Sequence, residues 1–201
     1  MSEPVVITWL RHGQVEGPAH VLRGRSEEPL SAEGRTQLQG ALAELGARGE
    51  AFSRIVTSPR RRCAEFAREF ALVRGREAEG LEDLAELDFG HWEGLDPRRL
   101  PATEAALYAR LRQDPDSVTP PGGESGAQFT ARVRRAVEML AQGPGPVLAF
   151  THAGVMRAVL ADALGLTTEA SQRVALAPAA WMRISYLAGA APVLLELRSQ
   201  C

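Results

Sequence analysis

The chain reads as an α/β protein, a three-layer α/β/α sandwich with a mostly parallel central sheet and a small helical insertion after the third strand region. Three observations predict this. Short apolar runs alternate with segments of helical period 3.6. Three of those runs, Val5–Leu10, Ile55–Thr57 and Val147–Thr151, are each followed closely by histidine or arginine: Arg11-His12-Gly13, Ser58-Pro59-Arg60-Arg61-Arg62 and His152-Ala153-Gly154. Open α/β sheets bind ligands at the carboxyl ends of their strands, so imidazoles and cations delivered there suggest a pocket for an anion.

The elements follow in order. Val5–Leu10 is the first strand, and residues 13–30, rich in Gly, Pro and charge, form a loop able to carry function. Ser31 can cap a helix whose apolar positions are Leu38, Ala41, Leu42 and Leu45, stopping near Gly46 to Gly49. A strand over Arg54–Thr57 precedes a helix from about Arg60 to Val73, with Ala64, Phe66, Ala67 and Phe70 on its apolar side. From Leu81 to Gly94 the pattern is short and turn-like. Residues 96–123, punctuated by seven Pro and Gly residues, read as an insertion or cap around one short helix near Glu104–Arg112. Ser125 opens a helix with Phe129, Val133, Val137 and Leu140, and Gly143–Pro146 breaks it before the Val147–Thr151 strand. A helix over Val155–Leu164 and two strands, Trp181–Leu187 and Val193–Leu197, complete a single expected domain over 1–201.

Composition narrows the function. The chain of 201 residues is 45% hydrophobic and 24% charged, with formal net charge −2, as for an ordinary globular protein. That balance argues against a surface that coats nucleic acid. All 23 basic residues are arginine, which excludes a lysine Schiff base and a P-loop. Cys63 and Cys201 form no disulfide framework and fit a reducing compartment. No segment resembles a signal peptide or approaches the ~20 apolar residues of a membrane span. The expected location is the cytoplasm.

Two histidines and two arginines together suit phosphoryl transfer. Arginine grips the non-bridging oxygens through a planar fork that stays charged, and neutral imidazole is a nucleophile. His12, flanked by Arg11 and Arg62, can take a phosphoryl group from an ester and pass it to water, while His152 stabilises the oxygens. Enough arginine makes a metal unnecessary, and the four histidines show no metal-ligand spacing. The leaving alkoxide needs a general acid. Glu86 is the candidate, with Asp88 and His91 as competitors in the same loop.

The chain resembles the histidine phosphatase superfamily, the phosphoglycerate-mutase-like group, through six pieces in the family's order. They are Arg11-His12-Gly13; Gly24-Arg25 with Pro29–Gly34; Ser58–Arg62; Glu86 with Phe89–Gly94; Pro121–Ser125; and Thr151–Gly154. The resemblance implies that His12 becomes phosphorylated, that Arg11, Arg62 and His152 complete the phosphate pocket, and that Glu86 donates the proton. Gly24, Arg25, Ala153 and Gly154, inside these motifs, are expected to touch substrate. Phe-Gly-x-Trp-Glu-Gly and Pro-Gly-Gly-Glu-Ser resemble the branch of α-ribazole phosphatases and broad-specificity phosphatases. Many members continue Arg-His-Gly with Glu-Thr-x-x-Asn. Gln14, Val15 and Pro18 stand there instead, so a hydroxyl and an amide are missing, and His20 or Arg25 is left to replace that contact.

The expected function is therefore a metal-independent, cofactor-free phosphomonoester hydrolase acting on a small phosphorylated metabolite, with α-ribazole 5′-phosphate as named candidate. No nucleic-acid or membrane partner is expected, and the chain is read as a monomer or homodimer. A phosphoglycerate mutase-like phosphotransferase and a non-catalytic phosphate-binding module are the alternatives. Arg60 and Arg61 read as a solvated helix start, His91 and Trp92 as loop packing, and Cys63 as a small buried residue. Arg98, Arg99, Arg110 and Arg112 of the insertion either close over substrate or form a solvated face.

Overall fold

The computed structural model describes residues 3–199. Met1, Ser2 and Cys201, on which part of the leader and cysteine readings rests, lie outside the described residues. The elements are β1 (Val5–Arg11), α1 (Ala32–Ala47), β2 (Arg54–Thr57), α2 (Arg61–Leu72), β3 (Ala78–Gly80), α3 (Ala102–Gln113), α4 (Gly126–Gln142), β4 (Val147–Thr151), α5 (Ala153–Leu164), α6 (Thr168–Gln172), β5 (Trp181–Tyr186) and β6 (Val193–Arg198). The strands form one mixed sheet in the order β3-β2-β4-β1-β5-β6. β1 runs parallel to β4, and β4 and β3 run parallel to β2. β5 lies antiparallel to β1, and β6 antiparallel to β5.

Strand alternation sorts the core into two faces. Leu10, Ile55, Leu148 and Phe150 point to the side where α1 brings Leu38 and Leu45 and α2 brings Phe66 and Ala67. Ile7, Trp9, Val56 and Ala149 point to the other, against Phe129, Val133 and Val137 of α4 and Val155 and Val159 of α5. All five residues of β4, at the centre, are buried, as a strand covered on both faces requires.

Local signals set the helix ends. The Ser31 hydroxyl accepts the Gly34 N–H at 3.0 Å and starts α1. Ser125 and Gln128 form a reciprocal capping box on α4. Gly165, with φ of 63°, ends α5 in the left-handed conformation that favours glycine. Several boundaries differ from the sequence expectation. α5 begins at Ala153, directly after His152, rather than at Val155. Arg60 is the cap of α2 rather than its first turn. β3 and α6 were not foreseen: β3 is Ala78-Glu79-Gly80, short and mostly exposed, with no apolar pattern to reveal it. No described helix is long and apolar enough to cross a membrane.

α1 approaches the end of β1 through two glycines. A Cβ on Gly34 would lie 1.9 Å from the Gln14 carbonyl oxygen, and one on Gly13 would lie 2.1 Å from that of Gly34, whereas nothing lies within 4 Å at Gly40 of the same helix. Gly40→Ala is therefore expected to raise stability by up to about 1 kcal/mol through helix propensity. Gly34→Ala is expected to lower it by about 2 kcal/mol or more, because backbone must move. Thermal unfolding of the two variants checks this, and equal effects would refute the close approach.

Candidate active site

β1 delivers His12 to the carboxyl edge of the sheet, and its backbone is held from both sides. The His12 N–H donates to the Thr151 carbonyl at 2.9 Å, and the Ala179 N–H donates to the His12 carbonyl at 3.2 Å. The ring is oriented by a 2.8 Å contact between Nδ1 and the Gly13 carbonyl. A carbonyl only accepts, so Nδ1 carries the proton and Nε2 keeps its lone pair. Burial first, and then the Arg11 and Arg62 charges, hold His12 well below the usual histidine range, so it is neutral at pH 7.

His152 is the residue before α5, and its ring meets that of His12 edge-on, with centroids 5.2 Å apart. Arg62 Nε–H donates to His152 Nδ1 at 3.3 Å, which leaves Nε2–H to donate to the Ser58 hydroxyl at 2.7 Å. Burial and the Arg62 charge push His152, too, well below the ordinary value. Arg62 is fully buried. Its terminal nitrogens donate to the carbonyls of Ser26 at 2.7 Å, Gly24 at 2.9 Å and Arg23 at 3.0 Å. One N–H of NH1 is left for a ligand. Arg11 donates through NH1 to the Leu176 carbonyl, and burial lowers its pKa. Among the described residues neither guanidinium is paired with a carboxylate, so the pocket is electropositive.

Glu86 arrives on the loop that follows β3. Its Oε2 accepts the Gly154 N–H at 2.9 Å, at the amino end of α5. A Cβ on Gly154 would lie 2.1 Å from Glu86 Oε1, so a larger residue there would push the carboxylate aside. Arg132 of α4 fixes the loop. It donates to the carbonyls of Asp83, Ala85 and Glu86 at 3.0, 2.7 and 3.0 Å, and is gripped by Glu124 at 2.7 and 2.8 Å. The Thr151 hydroxyl donates to the Leu84 carbonyl at 2.9 Å. Beside Glu86, Ala153 and Gly154 opens a cavity of about 540 Å³ between α3, α4, α5 and α6.

The sequence profile of the histidine phosphatase superfamily (branch 1) matches residues 7–198. The chain belongs to this superfamily. A Mycobacterium tuberculosis protein named as bifunctional is 34% identical over 164 residues, which are 80% of this chain and 44% of that protein, so the chain spans under half of that relative's length. The adenosylcobalamin/α-ribazole phosphatase of Escherichia coli is 28% identical over 180 residues, 88% of each chain. The native structure of a mycobacterial glucosyl-3-phosphoglycerate phosphatase superposes with a TM-score of 0.80 at 26% identity, covering 98% of this chain and 100% of that one.

In this member of the superfamily the fold brings His12, His152, Arg11 and Arg62 together, with Glu86 at the adjoining cavity. The other expected residues are placed differently. The Gly24 N–H is already donated to Glu93, at 3.0 Å from each carboxylate oxygen. Arg25 is mostly exposed and pairs with Asp88 at 3.2 Å. His20 is exposed, with φ of 64°. Arg60 pairs with Glu27 and Glu82, and Arg61 with Glu65. Asp88 accepts the Gly90 N–H at 2.9 Å, and His91 is exposed, so of the three proton-donor candidates Glu86 is the one that lines the cavity. Trp92 is buried, stacks edge-on with Tyr108 and donates to Glu104 at 2.9 Å. Of the four insertion arginines only Arg112 reaches the cavity. Sequence reasoning missed the roles of Ser58, Glu93, Arg132 and Arg157. The last had a signal: it is the one cation in the apolar stretch Val155–Leu160.

Both histidines are held neutral in the folded state and return to about 6.5 on unfolding. The unfolded chain then binds more protons, so this contribution is complete above pH 6.5 and is lost as pH falls below it. Urea unfolding between pH 6.5 and 5 should show stability falling with pH, and His12→Asn should flatten that slope by one proton. An unchanged slope in the variant would show that His12 is not held neutral.

Proposed function

We propose that the chain is a phosphomonoester hydrolase working through a phosphohistidine on His12. The observation that carries this is the Nδ1 contact to the Gly13 carbonyl, which leaves a neutral Nε2 beside the buried Arg62 and the half-buried Arg11. Nε2 attacks phosphorus, the P–O bond to the alcohol breaks, and protonated Glu86 gives its proton to the leaving oxygen. Water then attacks the phosphohistidine, its proton passes to Glu86, and the P–N bond electrons return to Nε2 as phosphate leaves. Arg11, Arg62 and the amino end of α5 balance the oxygens' charge. His152 completes the pocket by turning its Nε2–H from the Ser58 hydroxyl to the same oxygens, while its Nδ1 keeps accepting from Arg62.

The arginines supply the positive charge that a metal provides elsewhere, so hydrolysis of p-nitrophenyl phosphate is expected to persist in excess chelator. His12→Ala should abolish it, and residual activity near wild type would sink the proposal. Phosphate release measured against isomerisation of 3-phosphoglycerate separates hydrolysis from mutase chemistry, and tight binding without turnover would favour a binding module. α-Ribazole 5′-phosphate, after the name of the Escherichia coli relative, is the first candidate for a substrate panel, in which segment 96–123 acts as the cap.

Glu86→Gln discriminates the proton donor. Alkyl phosphates, whose alkoxides need a proton to leave, should slow by about 10²- to 10⁴-fold, and p-nitrophenyl phosphate much less. A uniform loss across both, or the same selectivity from Asp88→Asn, would reassign the role.

A further inference from the structure

We infer that Arg157 anchors a second anionic group on the alcohol portion of the substrate, so that the preferred esters carry a carboxylate or another phosphoryl group on a body of sugar-acid or nucleoside size. This rests on the hydrolase reading, because Glu86 marks the side on which the alcohol leaves.

The cavity beside Glu86 has the volume of a small-molecule site. Tyr108 and Leu111 of α3, Phe129 of α4 and Leu166 give it apolar walls suited to a ring or carbon skeleton. Its charges are unevenly matched. Arg134 and Asp162 pair with each other at 3.1 Å and cancel. Arg157 has no carboxylate partner among the described residues. Its Nε is buried without any hydrogen-bond partner, and its one contact, NH2 to the Val174 carbonyl, is long at 3.5 Å. A desolvated, under-satisfied guanidinium is costly unless something else completes it. Its pKa is lowered first by burial, with Glu86 opposing and Arg112 adding to the effect. With Arg134 and Asp162 paired and Glu86 engaged by the Gly154 N–H, Arg112 and Arg157 are the cavity's remaining charges, and both are positive.

Position along α5 supports the assignment. Arg157 is four residues beyond Ala153, hence on the same face one turn further from the phosphate end. An ester with phosphorus at His12 therefore extends past Glu86 and Gly154 towards Arg157. A site built to hold an acid discriminates strongly against analogues lacking it, because its own buried donor is then left unpaired.

The test compares matched esters: 3-phosphoglycerate against glycerol 3-phosphate for the carboxylate, and adenosine 3′,5′-bisphosphate against adenosine 5′-monophosphate for the second phosphoryl group. α-Ribazole 5′-phosphate, with a single acidic group, belongs with the singly charged members. The expected result is kcat/KM at least tenfold higher for the doubly charged member of one pair, which also identifies the acid. Arg157→Ala should bring that ratio towards one, and Arg157→Lys should keep part of it. No discrimination in either pair, or a parallel loss for both members in Arg157→Ala, overturns the inference. Binding of the intact esters to His12→Ala protein by calorimetry gives the same comparison without turnover. Selective binding with no hydrolysis by the wild-type chain defeats the hydrolase reading alone, and hydrolysis without selectivity defeats the Arg157 assignment alone.

Discussion

One buried guanidinium, Arg62, and one half-buried, Arg11, neither paired with a carboxylate, set the terms for the rest of this site. Arg62 is out of contact with solvent, and its charge is met by carbonyl dipoles of residues 23, 24 and 26 and by one imidazole nitrogen. Arg11 leans on the Leu176 carbonyl. Dipoles solvate a buried cation without cancelling it, whereas a carboxylate would neutralise the field and close the pocket. Burial first, and then the surplus positive charge, keep both histidines deprotonated, and the same surplus suits the pocket to an anion. Loops remote in sequence are thus ordered as solvent for arginine.

The acids nearby are kept from undoing this. Glu93 collects the N–H groups of Gly24, Arg25 and Phe89. Glu124 is bound to Arg132, whose other donors hold the carbonyls around Glu86. Glu86 itself accepts from the Gly154 N–H. Each carboxylate is satisfied by backbone or by an arginine outside the pocket, so negative charge surrounds the phosphate position without entering it. The segment 23–26 is gripped through its carbonyls by Arg62 and through its amides by Glu93, which makes it a rigid wall despite its glycine.

The sheet's centre was legible because burial on both faces leaves an unbroken apolar run, as in Val147–Phe150, and because Ser31 and Ser125 announce their helices. β3 was illegible for the opposite reason: Ala78-Glu79-Gly80 at the sheet edge buries too little to leave a pattern. His12, Arg62, Glu86 and His152 were readable as types placed after strands or in a loop, with the order of motifs making the set coherent. Their partners were not. Ser58 meets His152 from 94 positions away and Glu93 meets Gly24 from 69, and no local periodicity encodes such pairings. Arg25 and the Gly24 amide were expected at the substrate and instead serve Asp88 and Glu93, because a short polar loop does not reveal which way its groups turn.

The motifs that announce this site end at Gly154, but the site does not. His12 is held through its carbonyl by Ala179, Arg11 donates its backbone N–H to Ala180 and its side chain to Leu176, and β5 supplies one of the two neighbours of β1. A chain severed after α5 would still display the complete signature while losing one of the two struts on the His12 backbone and the carbonyl that seats Arg11. Such a fragment would pass every pattern search for this chemistry and have nowhere to perform it.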